Sequence, residues 1–504
     1  MVMTTDEAAA PFSLMEATIH GVQRAYLDKE LSARELVQGY LDRIEAFDRS
    51  GPAINSVITV HPDALAEADR LDKALAAGGP VGPLHGVPVV LKDQMDAAGT
   101  PTTLGSVLLK DFFPSRDAFV VERLRAAGAI ILAKTALGEL GGGDTHGTLF
   151  GSTRNPYALD RTPGGSSGGA AAAIAANLAT VAIGQEGHAS IRRPSAWNCI
   201  AGMRPTAGLV SRSGVFAGWP GIAGSLGPMA RSVRDVALLL GVIAGYDAED
   251  PLTALGAPHL AADYAADLDP GALAGARIGV IREPIGRNSE PGSEDFAKVA
   301  AVFDRAMEDL AAAGATLVDP LDIPNLSQLL ASRGGGDREG DEAGFAHYMS
   351  RHPDAPYASY ADLMATPGYT PRSNGGSISP GTIPEQLRAR ETLMISLMQL
   401  MHYHRLDAVV HRTVEHSPTL LPAGDSPPSF NSKGSTSINT FLVFLPALSV
   451  PAGFTADDLP AGITFLGRPY HDAAILRLGY AYEQATRHRR PPASAPALAL
   501  AGQP

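Results

Sequence analysis

At 504 residues, with 45% hydrophobic and 18% charged side chains, the chain has globular composition and enough length for one large core or two smaller ones. A formal charge of −13, with lysine and arginine scattered and no basic block, argues against nucleic acid as a direct partner. The single cysteine, Cys199, excludes an internal disulfide and reads as a buried filler. The acidic start lacks an apolar h-region, and the alanine-rich run from Gly169 to Gly184, broken by Asn177, is too short to span a membrane. The expected setting is cytoplasmic.

In chain order, Ser32 and Glu35 form an S-x-x-E capping box, and Leu36, Val37, Tyr40, Leu41 and Ile44 follow at helical spacing. Strands are predicted over 56–60, 87–91, 129–133, 179–184, 276–281, 407–411 and 462–467. Ser232 and Asp235 open a helix through VRDVALLLGVIAG, and residues 472–488 make a long amphipathic one. The alternation predicts an α/β fold. Segments 331–344, 366–384 and 421–436, rich in Gly, Pro, Ser or charge, read as surface loops and rims of a pocket, and 491–504 as a frayed tail.

Lys92 ends HGVPVVLKD, a strand apolar enough to be buried on both faces. A lysine with the ordinary pKa near 10.4 costs roughly 4.6 kcal/mol to neutralise at pH 7, so only burial or positive neighbours make it a base. A lysine snorkelling from a strand end, or paired with Asp93, is the competing reading. Further on, four glycines bracket Ser166 and Ser167 ahead of an alanine-rich helix. The string Gly165 to Gly169 satisfies G-x-S-x-G, yet a nucleophile elbow needs a strand directly before it, and NPYALDRTPG is a turn-rich loop. In GQEGHASIRRP, Ser190 follows Gly187, His188 and Ala189, a stretch with small residues that let consecutive N–H groups converge as in an oxyanion hole; an N-capping serine is the alternative.

A strand-end lysine and two separated serines suit a relay of base, bridge and nucleophile. The blocks PLHGVPVVLKD, GAIILAKTALGEL, NPYALDRTPGGSSGG, GHASIRRPSAWNCIAGMRPTAGLVSRSGV, GSLGPMARSVRD, LPALSVPAG and GITFLGRP resemble, in order, those of the amidase signature family, over about residues 12–490. The resemblance implies a Ser, cis-Ser, Lys triad: Lys92 as neutral base, Ser166 as bridge on a cis peptide, and Ser190 as nucleophile. It puts the oxyanion on main-chain N–H groups of Gly187, His188, Ala189 and Ser190. It sets Gly141, Gly142 and Gly143 in a substrate-side loop. It matches Arg193 to a substrate-binding arginine of a malonamide-cleaving relative, while Arg192 fits the commoner pattern; a structural role for both arginines is the equal alternative. The chain departs from that pattern at His188-Ala189, where Gly-Gly or Asp-Gly is usual; a positive φ at Ala189 would strain its Cβ. Ala136 replaces a frequent Asn, and His188 reads as a pocket-shaping residue. The close pair His402 and His404 lacks further ligands at metal spacing.

The implied protein is a cofactor-free serine hydrolase without a metal. Its expected fold is a single large α/β domain over 1–490, with N-terminal helices and a mixed, twisted sheet sandwiched between helical layers. Its expected substrates are small-molecule amides, with carbamates (a urethanase activity) and esters open to the same acyl chemistry; no membrane partner is expected, and the chain is expected to be a monomer or homodimer. The competing readings are an amidotransferase component of the A type that works only in a complex, and a triad-bearing but inactive binding protein.

Overall fold

Of the strands that the apolar runs announce, those inside the central sheet are buried on both faces, as a sheet covered by helices on each side requires, while Val57–Val60 at one edge is mostly half-buried and Arg277–Val280 is half-buried at its start. The computed structural model describes residues 12–216, 224–332, 338–371, 382–421, 433–436 and 438–498. Eleven strands form one sheet: β1 (Val57–Val60), β2 (Pro88–Lys92), β3 (Ile130–Thr135), β4 (Val181–Glu186), β5 (Ala201–Arg204), β6 (Ser225–Ala230), β7 (Arg277–Val280), β8 (Thr316–Val318), β9 (Ala408–Arg412), β10 (Ala447–Phe454) and β11 (Pro460–Leu466). Their spatial order is β1-β3-β2-β4-β6-β5-β10-β11-β9-β7-β8. The pairs β3–β2–β4 and β9–β7–β8 are parallel and the others antiparallel, so the sheet is mixed.

Helices Gly168–Ala175 and Arg192–Trp197 pack on each other and on the sheet; Val233–Ile243, Glu294–Ala312 and Asp472–Thr486 form a second packed group. The result is a large single α/β domain. The capping box at Ser32 is present, with Ser32 accepting from Glu35 N–H and Glu35 reaching back to Ser32 N–H. Ser232 likewise caps Val233–Ile243. The alanine run is a wholly buried helix, Gly168–Ala175, and no helix among the described residues is long and apolar enough to cross a membrane.

Two expectations need correction. The loop predicted over 331–344 turns helical from Arg338, where the helix Arg338–Ser350 begins, because Glu342, Phe345 and Tyr348 follow at helical spacing and the two aromatics bury beneath it. The tail beyond 490 is tied down rather than frayed as far as it is described: Ala495 is buried, and the Arg43 guanidinium donates to the carbonyls of Ala495 and Pro496 at 2.9 and 2.7 Å. The predicted loops at 366–384 and 421–436 lie mostly outside the described residues.

Candidate active site

Parallel pairing puts the carboxyl ends of β2 and β4 side by side, Leu91 opposite Ile183, which is the edge of an α/β sheet where sites form. Lys92 closes β2 there, wholly buried, and its Nζ donates to Ser166 Oγ at 2.7 Å and to the Gln185 carbonyl at 3.3 Å. Asp93 points elsewhere: it pairs with the equally buried Lys134 at 3.1 Å. The alternative Lys92–Asp93 pairing is therefore absent, and among the described residues no carboxylate lies within ion-pair distance of Lys92. Burial pushes the Lys92 ammonium well below the ordinary lysine range, against a weaker opposing influence from the Glu186 charge.

Ser166 follows a cis Gly165–Ser166 peptide. A side chain at Gly165 would put its Cβ 2.2 Å from the Gly143 carbonyl oxygen, so only glycine lets the two loops meet. Ser166 Oγ lies 3.0 Å from Ser190 Oγ and 2.7 Å from the Gly141 carbonyl. Ser166 Oγ accepts from Lys92 and is placed to donate to both the Gly141 carbonyl and Ser190 Oγ; a hydroxyl carries one proton, so the two acceptors compete for it and the carbonyl has the shorter contact. The three side chains thus form one row, and half-buried Ser190 is its solvent-facing end.

The stretch around Ser190 is bracketed by an ion pair. Glu186, at the end of β4, accepts from the Ile191 and Arg192 N–H groups at 3.0 Å each and from Arg192 Nε at 2.8 Å, with both side chains fully buried. Arg192 also donates to the His188 carbonyl at 2.9 Å. One carboxylate and one guanidinium therefore fix both ends of the turn over 187–190. Ala189 is not among the residues with positive φ, so its Cβ carries no left-handed strain. Among the described residues the N–H groups of Gly187, Ala189 and Ser190 find no acceptor.

The glycine loop lies against Ser166, and Arg193 makes the structural contacts that are the alternative to substrate binding. Gly141 faces inward and spends its carbonyl on Ser166; Gly142 is exposed. Arg193, 3% exposed, pairs with Asp144 and donates to the Gly165 carbonyl at 3.2 Å, the Gly143 carbonyl at 3.4 Å and Ser435 Oγ at 3.3 Å. Through these bonds Arg193 ties the two loops together. Sequence reasoning missed Glu186 and Asp144 as partners. Glu186 was readable six residues before Arg192; Asp144, far from Arg193 in the chain, carried no local signal. Among the described residues no group of three or more His, Cys, Asp or Glu side chains is placed to hold a metal ion.

This fold and this row of residues define an amide-cleaving enzyme class, and the family comparison agrees: the chain belongs to the amidase family, whose model matches residues 35–476. It is similar to the A component of the glutamyl-tRNA(Gln) amidotransferase of Thermosynechococcus vestitus, with 35% identity over 489 residues, 93% of this chain and 98% of that protein. Among solved structures it is similar to the native peptide amidase of Stenotrophomonas maltophilia, with 36% identity, a TM-score of 0.80, and coverage of 96% of this chain and 99% of that one. An amidase family protein from Bacillus anthracis gives 28% identity and a TM-score of 0.79 over 95% of this chain and 92% of its own.

Proposed function

We propose that the chain is a free-standing amide hydrolase working through an acyl-Ser190 intermediate. The observation that carries this is the buried Lys92, without an acidic partner among the described residues, 2.7 Å from a serine that is 3.0 Å from a second, half-buried serine. Ser190 Oγ attacks the substrate carbonyl carbon; its proton passes to Ser166 Oγ while the Ser166 proton turns from Gly141 to the neutral Lys92 amine. The carbonyl electrons collect on oxygen, facing the N–H groups of residues 187–190, where one donor is typically worth about 3–4 kcal/mol. Collapse breaks the C–N bond as the Lys92 proton returns through Ser166 to the leaving nitrogen. Water then attacks the ester by the same path, releasing acid and restoring Ser190. The same steps serve aryl carbamates and esters.

A second reading, a protein that works only within a complex, is favoured by the amidotransferase components among its relatives. Nitroaniline release from a panel of anilides and aryl carbamates by the isolated chain separates the two, with gel filtration to show what is present. Turnover is expected without a partner, and Ser190→Ala should lower it at least about 1,000-fold and abolish labelling by an active-serine fluorophosphonate. Turnover that survives Ser190→Ala refutes the mechanism, and an inert but labelled chain favours the complex-dependent reading.

A further inference from the structure

Beside the row of Lys92, Ser166 and Ser190 lies a separate apolar cluster. It joins Leu104, Phe112 and Phe216 of the body to Phe345, Tyr348 and Leu363 of the helices Arg338–Ser350 and Tyr360–Met364. These helices form a cap whose polar contacts to the body include Tyr348 donating to Asp96 at 2.6 Å, His352 lying 3.0 Å from the same carboxylate, and an ion pair of Arg351 with Glu249. Where the cap ends, Tyr369 reaches the glycine loop. Its phenol donates to Glu139 Oε1 at 2.9 Å and accepts from Ser106 Oγ at 2.8 Å.

Glu139 begins the turn Glu139–Gly141, in which Leu140 and Gly141 both take positive φ. The turn is tightly built: a Cβ at Gly138 would lie 1.9 Å from the Gly142 carbonyl oxygen, and Leu140 N–H is tied to the Leu104 carbonyl at 2.9 Å. Glu139 is 1% exposed and also accepts from Thr148 Oγ1 at 2.5 Å, so its carboxylate fixes where the turn starts. Two residues on, the Gly141 carbonyl receives the Ser166 proton at 2.7 Å.

That acceptor decides which way the hydroxyls point. Ser166 is placed to donate to Gly141 at 2.7 Å or to Ser190 at 3.0 Å, and with the Gly141 carbonyl in place the shorter contact draws its single proton away from Ser190, leaving Ser166 Oγ to accept the Ser190 proton when nucleophile activation runs. Were the carbonyl to drift, Ser166 would be free to donate to Ser190 instead, and the attacking oxygen would lose a lone pair to that bond. We propose that Tyr369 is a positioning residue of the cap, which through Glu139 holds the Gly141 carbonyl on Ser166 and so sets the proton direction of the relay. Burial, with the Glu139 charge adding to it, raises the phenol far above the ordinary tyrosine range, so it stays a donor throughout the working pH range. The proposal rests on the relay described under the proposed function.

The test compares Tyr369→Phe, Glu139→Ala, their double variant and Ser106→Ala in the full chain, reading kcat, KM, the rate of fluorophosphonate labelling and Tm. Loss of one neutral hydrogen bond predicts a roughly 3- to 10-fold fall in kcat and in labelling rate for Tyr369→Phe, with KM nearly unchanged. Glu139→Ala should fall at least as far, and the double variant no further than Glu139→Ala alone, since both act through one path. Ser106→Ala, which removes the phenol's other partner and the cap on Leu108 N–H but leaves Glu139 in place, should keep wild-type kcat. An unchanged kcat in Tyr369→Phe, a loss confined to KM or Tm, or losses that multiply in the double variant would overturn the proposal. Ser190→Ala is run alongside: activity surviving there refutes the relay itself, whereas dependence on Ser190 with multiplying losses refutes only the role of Tyr369.

Discussion

The chain buries two lysines at neighbouring strand ends and treats them oppositely. Lys134 has Asp93 at 3.1 Å; among the described residues Lys92 has only hydroxyl and carbonyl oxygens. A base in the proposed relay must be neutral, so kcat/KM should rise with pH to a plateau whose midpoint lies well below the roughly 10.4 of a free lysine, and Lys92→Arg should stay inactive at every pH. The same burial has a stability cost with a definite sign. Between the depressed folded pKa and about 10.4 the unfolded chain binds a proton that the folded one does not, so stability rises with pH through that window. Lys92→Met should therefore be inactive yet melt above the wild type near neutral pH, with the gap closing as pH approaches about 10. A gap constant across pH would show that Lys92 stays charged in the fold. That Lys92 mattered was legible from its apolar strand and the blocks around it, whereas its isolation was not, because the competing partner Asp93 sits next in sequence. Asp93 lies in the turn just past β2 and pairs across to Lys134 on the neighbouring strand, whose register partner on β2 is Leu91 and not Lys92. In the same way, the structural side of Arg193 had no local signal, because its partner Asp144 lies far away in the chain.

Strands with continuous branched runs, such as PVVLK and IILAKT, announced themselves, and the structure holds them within a residue or two of their expected bounds. Those overlooked were β5, β6, β8 and β10. SLGPMA and ALSVPAGF carry glycine and proline inside a strand, the latter at an irregular register between Pro451 and Gly453, and TLV is three residues long. Their place in the sheet is set by pairing, not by local pattern. Helix contacts hide a comparable tertiary effect. Glu483, on Asp472–Thr486, caps the start of Val233–Ile243 by accepting from Val233 N–H at 2.8 Å, close to the buried Asp235, which accepts from Ile19 N–H at 3.1 Å. Burial raises Glu483 to about 8 and Asp235 to about 6. A raised carboxyl keeps in the fold a proton that the unfolded chain releases, so Glu483 makes stability fall as pH climbs from about 4.3, its unfolded value, toward the folded one. Glu483→Gln should match the wild type near pH 5 and melt higher near pH 9, a difference that thermal melts at the two pH values measure directly. Parallel melting curves at both would mean that this carboxyl is ionised in the fold.

The termini enter the site through the far end of one helix. Gly168–Ala175 begins just after Ser166 and Ser167, and its last carbonyls, which have no partner within the helix, are taken up by arginines from distant parts of the chain. Arg43 donates to Asn177 and Ala176 at 2.8 and 2.9 Å, Arg231 to Ile174 at 3.1 Å, and Arg489 to Ala175 at 3.2 Å. Positive groups at this end also suit the helix dipole. Arg43 reaches onward to Ala495 and Pro496, and Arg489 to Glu16 and to the Cys199 carbonyl, so the N-terminal segment, the tail and the helix behind the serines share one set of bonds. Arg43 is 2% exposed, and removing it leaves several buried carbonyls without donors at about 1–3 kcal/mol each, partly relieved by entering water. Arg43→Ala should therefore destabilise the protein by about 3–5 kcal/mol. Truncation after Arg490 removes two of the same bonds and the buried Ala495, so it should also lower stability, and the two changes together should cost less than their sum. Denaturant titration of the two variants and their combination measures this. A silent truncation, or strictly additive losses, would mean that the tail does not help hold the helix that carries Ser166 into the site.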